Sequence, residues 1–331
     1  MRSRKISMRI VSALVLSVLS LPALAHHGVA GVGVAGLNGP GAPIESAASS
    51  VLPEGKLLAY FKMDEARYET YDWAVPNAEY ARYTMLGLGY GFTPWFSAYA
   101  FLPYNEKIDE AGGQSSRGVA DMSMMGQIGF KYDQGFRLIP ENESLDDLED
   151  WHFSLFGGAT LPTGDANHRL SDGTIDPGKS LGFGKPSFSL GISASKVLTE
   201  RLTVSFEASA LRFQEYTYAD GQTMRFGAEN RFNTALSYRG WTLPEQLFRL
   251  DPVLEVQYLS LGRDKENGVG ATATGGQILY AMPGVRAYWQ NMSFAFGIKQ
   301  PIWTDLNESD QQQGAEGKEE YRLIFSASVL F

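Results

Sequence analysis

Cysteine is absent from all 331 residues. That absence excludes disulfides, iron–sulfur clusters and thiolate zinc sites, and it excludes an acylated lipoprotein, whose processed end needs a cysteine. Histidine is scarce at four copies, so imidazole chemistry has few places to reside. Basic charge is also short, with 28 Lys+Arg against 37 Asp+Glu. A polyphosphate partner needs a basic face, so nucleic acid is excluded. Beyond Ala25 no stretch approaches the about 18 apolar residues of a membrane-spanning helix.

The one long apolar run has the layout of a secretory leader. Arg2, Arg4, Lys5 and Arg9 supply a basic start, Ile10 to Leu21 an apolar stretch, Pro22 a break and Ala23-Leu24-Ala25 a small-residue cleavage signature. Residues 1–25 are expected to be removed, which leaves a chain more acidic than the formal net charge of -9 of the whole sequence. An exported, cysteine-free chain without a spanning helix is either a soluble periplasmic or secreted protein or an outer-membrane β-barrel.

What the sequence has in abundance is alternation, the signature of a strand with two different faces. In Arg201 to Ala210, Leu202, Val204, Phe206, Ala208 and Ala210 oppose Arg201, Thr203, Ser205, Glu207 and Ser209 without a break. Ser187 to Ser195 and Met292 to Lys299 read the same way. Asp121 to Lys131 alternates with Met125 as its exception, and Glu320 to Phe331 with Ile324 and Leu330 as exceptions. Soluble sandwiches alternate too, but their polar faces are rich in Lys and Glu, whereas here Ser, Gly, Thr and single charges dominate, as in a wet lumen.

Twelve such segments lie near 56–67, 80–92, 95–105, 119–132, 151–162, 186–197, 201–213, 224–239, 251–262, 276–289, 292–303 and 320–331. Their connections alternate long and short, the rule for barrels with periplasmic turns and extracellular loops. The links Asp133 to Asp150 and Gly240 to Leu250 are longer than that rule prefers. Trp95, Trp151, Trp241, Trp289 and Trp303 fall near segment ends, where indoles favour the membrane interface. The expected fold is all-β, a transmembrane antiparallel barrel of about twelve strands over residues 56–331.

Residues 26–55 differ in kind: Gly, Ala, Val, Pro and Ser dominate, with GVAG twice. This N-terminal extension is either a small plug folded into the barrel mouth or a mobile periplasmic tail. Cleavage after Ala25 would leave His26 and His27 at a free amino terminus, a candidate copper or nickel site, although the usual amino-terminal copper motif has its histidine third.

A search for catalysis finds little. His152 and Ser154 stand two apart, as in outer-membrane phospholipases, but Leu155 follows where those enzymes carry Asn, and both side chains fall on the lumen face. His168 shares a loop with Asp165, Asp172 and Asp176 at a spacing that fits no EF-hand or zincin, so the acids read as turn formers. No enzyme and no cofactor is expected. The lumen remains. Its inward charges are Lys62, Lys131, Arg201, Arg225, Arg231, Lys299 and Arg322 against Asp121, Glu207, Glu229, Glu255 and Glu320. Tyr60, Phe156, Ile278, Tyr280 and Tyr288 give it an amphipathic lining. These charges either pair across strands to hold the wall or select a small-molecule solute.

The Leu161-Pro162-Thr163-Gly164-Asp165 strand exit, the Gly-rich loop into Gly184 to Val197, the Met282-Pro283-Gly284-Val285-Arg286 segment and the final Phe331 together resemble the outer-membrane proteins named for the meta-pathway of phenol degradation. These are grouped with fatty-acid and aromatic-hydrocarbon channels. The resemblance spans about Lys56 onward and implies a barrel in the lipid of the outer membrane that passes small organic compounds. Tyr321, Phe325 and Phe331 likewise resemble the terminal signal read by the barrel assembly machinery, a transient partner. The alternative reading is a non-conducting barrel that captures metal at His26 and His27.

Overall fold

A computed structural model describes residues 42–69, 78–109, 115–141, 148–271, 274–307 and 319–331. The expected leader and the His26-His27 pair lie outside them. Among the described residues, twelve strands form one wall: β1 Leu57–Tyr68, β2 Ala78–Thr93, β3 Phe96–Asp109, β4 Ser123–Tyr132, β5 Trp151–Thr160, β6 Ser187–Thr199, β7 Leu202–Arg212, β8 Glu229–Tyr238, β9 Phe248–Leu261, β10 Gly276–Trp289, β11 Met292–Leu306 and β12 Glu319–Leu330. Each pairs antiparallel with its neighbours in sequence. The last then pairs with the first, from Leu58↔Leu330 to Arg67↔Tyr321, so the wall has no open edge.

The wall is inside out relative to a soluble protein. Leu86, Leu88, Leu190 and Phe232 are each more than half exposed on the outer face, whereas Ser193, Ser195, Ser205 and Ser237 point inward and are buried. Water would make that exterior untenable, and hydrocarbon makes it favourable. The chain therefore resides in the bacterial outer membrane.

Both ends of the wall's sequence and the tight turns share one end of the barrel. The turns after β2, β6 and β10 are two residues long, with Gln290 in the left-handed region at φ 55°. That end is periplasmic by the loop rule. The two links that seemed overlong, Asp133 to Asp150 and Gly240 to Leu250, carry short strands of their own. Phe136–Leu138 pairs with the end of β4 and Trp241–Leu243 with the start of β9. At the opposite end, segment 224–239 differs from expectation. Thr223–Arg225 leaves the wall and joins Tyr216–Thr217, Lys265–Glu266 and Val269–Gly270 in a small sheet of loops.

Candidate functional site in the barrel lumen

Residues 42–53 run through the interior, and the exposed Glu54, Gly55 and Lys56 lead out to β1. Their bonding partners sit on every strand from β1 to β11, which only a chain inside the cylinder can reach together. Starting from its first described residue, the segment meets Ser237 on β8 through the Ala42 carbonyl and Arg286 on β10 through the Pro43 carbonyl. Ile44, Glu45 and Ser46 donate backbone N–H groups to the Glu255 carboxylate on β9, joined by the Ser46 hydroxyl at 2.6 Å. Ala47 N–H donates to Glu207 on β7 at 2.7 Å. The Ala48 carbonyl accepts from Gln127 at 3.1 Å, Ser193 at 3.0 Å and Ser154 at 3.4 Å. Leu52 N–H then donates to Ser97 on β3 at 2.8 Å before the chain turns into β1.

Apolar contacts reinforce these bonds and explain the residues that broke alternation. Ile44 packs with Val253, Met282, Ala295 and Ile324. Ala47 and Leu52 pack with Leu58, Tyr60, Tyr99, Phe101, Met125, Phe156 and Leu330. Met125, Ile324 and Leu330 thus face inward because the segment covers them, and water does not have to.

Glycines make the room. A Cβ on Gly284 would fall 2.3 Å from Ile44 Cδ1, and one on Gly91 would fall 2.1 Å from the Pro53 carbonyl oxygen. The second obstacle is backbone and cannot swing aside. Gly91→Ala is expected to lift Pro53 from the wall at a cost of about 1–3 kcal/mol. Protease would then cut the segment faster, while the folded barrel keeps its heat-dependent electrophoretic mobility; unchanged cutting would refute the tight fit.

Beyond the segment lies a cavity of about 380 Å³, the size of a small-molecule site. Glu45, Lys62, Asp64, Arg231 and Arg322 line one side, and Phe101, Met125 and Phe156 another. Lys299 Nζ lies 3.0 Å from Glu45 and 4.4 Å from the centre of the Tyr280 ring. Arg322 pairs with Asp64 and Glu319, and Arg231 with Glu229 at 2.8 Å. Burial alone would raise the Glu45 carboxyl, but Lys299, Lys62, Arg322 and Arg231 outweigh it and hold it well below the usual carboxylate range.

The structure thus brings Glu207, Glu229, Arg231, Glu255, Tyr280, Lys299 and Arg322 together around the segment and the cavity. Of the predicted lumen charges, Glu320 is exposed at the start of β12, where the neighbouring Glu319 is buried instead, and three more stand elsewhere. Arg201 is in the exposed turn between β6 and β7, and Arg225 is on the exposed loop sheet, because the wall strands end short of both. Asp121 is buried at the top of β4 and accepts the N–H groups of Gly164 and Phe183, each at 2.8 Å, bracing the loop rather than lining the pore. Tyr321 and Phe325 are on the outer face of β12, followed by the exposed Phe331. Asp165, Asp172 and Asp176 each accept the N–H two residues on, as turn formers do. Ser154 Oγ lies 2.8 Å from Ser193 Oγ, in the group that holds Ala48. Among the described residues no group of three or more acids or histidines is placed to hold a metal ion.

Sequence reasoning missed Asp64 and Glu319, the buried partners of Arg322, and two further residues. Arg286, 1 % exposed, shares the inward face of β10 with Tyr280 and Tyr288, so alternation extended by six residues finds it. Glu45 is the one charged residue between His27 and Pro53, a signal read only as composition.

Comparison with known proteins follows the same geometry. An outer membrane channel from Pseudomonas putida F1 is similar over 87% of this chain and 100% of its own, with a TM-score of 0.66 at 12% identity. That identity supports likeness of fold alone. The NanC porin covers 82% of this chain and 98% of its own at 9% identity and a TM-score of 0.47. The beta domain of the Bordetella autotransporter BrkA covers 84% and 100% at 9% and 0.46. Both are too remote to carry an argument. No curated protein matches the sequence. A family model described as "Putative MetA-pathway of phenol degradation" matches residues 41–300.

Proposed function

This chain belongs to the family described as the putative MetA-pathway of phenol degradation, and on that premise we propose that it is a diffusion channel for small organic solutes, hydrophobic or aromatic ones among them. The observation that carries the reading is the closed, apolar-walled cylinder around a cavity of about 380 Å³ with both charged and aromatic lining. A solute enters from the long-loop end, exchanges water for Phe101, Met125 and Phe156 on one side, and keeps polar partners on the other. No energy source is needed, because the concentration difference drives passage.

The segment 42–56 is the obstacle at the periplasmic half, so conduction requires it to shift. In this reading residues 26–55 act as a plug, and its stability in the lumen sets the open fraction. Tyr321, Phe325 and Phe331 supply the terminal pattern through which the assembly machinery would insert the barrel, and no catalysis is assigned.

Uptake of phenyl glucoside, which crosses bare lipid poorly, into vesicles carrying the purified protein tests the reading. The native chain is expected to pass it slowly and Glu45→Gln to pass it about tenfold faster, since the buried Lys299 loses its anion, Lys62 keeps only Asp64 and the segment is released more often. Absence of uptake through both proteins would end the channel proposal.

A further inference from the structure

One residue of the lumen segment bridges both signs of the wall. The Glu45 carboxylate lies 3.0 Å from Lys299 Nζ and 3.7 Å from Lys62 Nζ, while its backbone N–H donates to Glu255 at 2.9 Å. The next residues complete the anionic side, with Ser46 on Glu255 and Ala47 on Glu207. The segment here joins a cationic pair to an anionic pair, with Asp64 3.5 Å from Lys62 and Arg231 on β8 between the two acids. Lys299 and Lys62 stand on β11 and β1, which flank β12, and Glu207 and Glu255 stand on β7 and β9. All four wall side chains are buried. Buried charges left without partners are costly, so this arrangement calls for an occupant with a carboxylate at one end and hydrogen-bond donors at the other.

Glu45 and Lys62 also line the cavity beyond the segment, together with Phe101 and Phe156. A solute resting in that cavity meets Lys62 beside the Glu45 carboxylate, with Asp64, Glu207, Arg231 and Arg322 also in the lining.

We propose that Glu45 and the amides beside it are a tethered surrogate for the transported molecule, and that this lumen selects small organic acids bearing a hydrogen-bond donor, which take the place of Glu45 on Lys299 and Lys62. The inference rests on the channel reading and adds the substrate class. Such a solute shifts the segment only to the degree that it binds the vacated wall better than the filled one. meta-Hydroxybenzoate matches the span, because its hydroxyl and carboxylate oxygens are separated by as many bonds as the amide nitrogen and carboxylate oxygen of a glutamate. Benzoate lacks the donor, and phenol lacks the carboxylate.

The natural absence of cysteine makes the test clean. Ser49 is 1 % exposed and its hydroxyl has no hydrogen-bond partner among the described residues, so Ser49→Cys places a single thiol of similar size on the segment. In protein-bearing vesicles, saturating meta-hydroxybenzoate is expected to accelerate labelling by a membrane-impermeant maleimide about tenfold. Benzoate should do so less, and phenol not at all. Adding Lys299→Gln should abolish the acceleration and Lys299→Arg should keep it, with heat-dependent mobility verifying that each barrel is folded. Phenyl glucoside uptake by the same vesicles separates the two claims. Uptake without acid-stimulated labelling would overturn the substrate class and leave the channel. Acid-stimulated labelling without uptake would support the acid site and remove the channel. Equal stimulation by phenol would also overturn the substrate class.

Discussion

Deletion of residues 26–52 is expected to raise the single-channel conductance of the protein in planar bilayers on the order of tenfold, because the narrowest part of the lumen is made of chain rather than of wall. The barrel itself does not depend on that chain. Closure comes from β1 against β12, and residues 53–56 stay to keep the bonds of Gly55 to Gly91 and of Leu57 to Phe331. Glu207, Glu255 and Arg286 would lose their segment partners, but water entering the emptied lumen would solvate them, so the penalty of a dry unpaired charge does not apply. Conductance equal to that of the full chain would mean that the segment is not the barrier.

Leu190→Arg is expected to destabilise the inserted barrel by about 2–4 kcal/mol if the site lies at the bilayer midplane. Leu190 is 61% exposed on the outer face of β6, whereas the neighbouring Ser189 lines the cavity on the inner face. The same arginine at Ser189 should cost far less, since its guanidinium reaches water in the lumen. Denaturant unfolding from vesicles, followed by heat-dependent mobility, compares the two variants. Equal losses at both positions would contradict a lipid-facing exterior and favour a dry, soluble sandwich.

Most of the wall was legible because the property that places each residue is local. In β7, Leu202 to Ala210 alternate with no knowledge of their neighbours, and the observed strand Leu202–Arg212 differs from the expected 201–213 by one residue at each end. The charges that fell outside the lumen, Arg201 and Arg225, lie at strand ends, where alternation continues on paper but the wall has stopped. The apolar residues that broke the pattern carried information of another kind. Met125, Ile324 and Leu330 read as irregularities until Ile44, Ala47 and Leu52 are seen against them.

The sequence by itself determined an exported all-β cylinder with an oily exterior, a polar interior and an even set of strands, since side-chain alternation and turn chemistry act over a few residues. Only the tertiary structure decided what the interior holds. Whether residues 42–56 enter the lumen depends on donors and acceptors spread over β1 to β11, a set that no stretch of sequence contains together. Glu255 finds three successive amides, and Glu45 finds Lys299 and Lys62, only when the wall has closed around them.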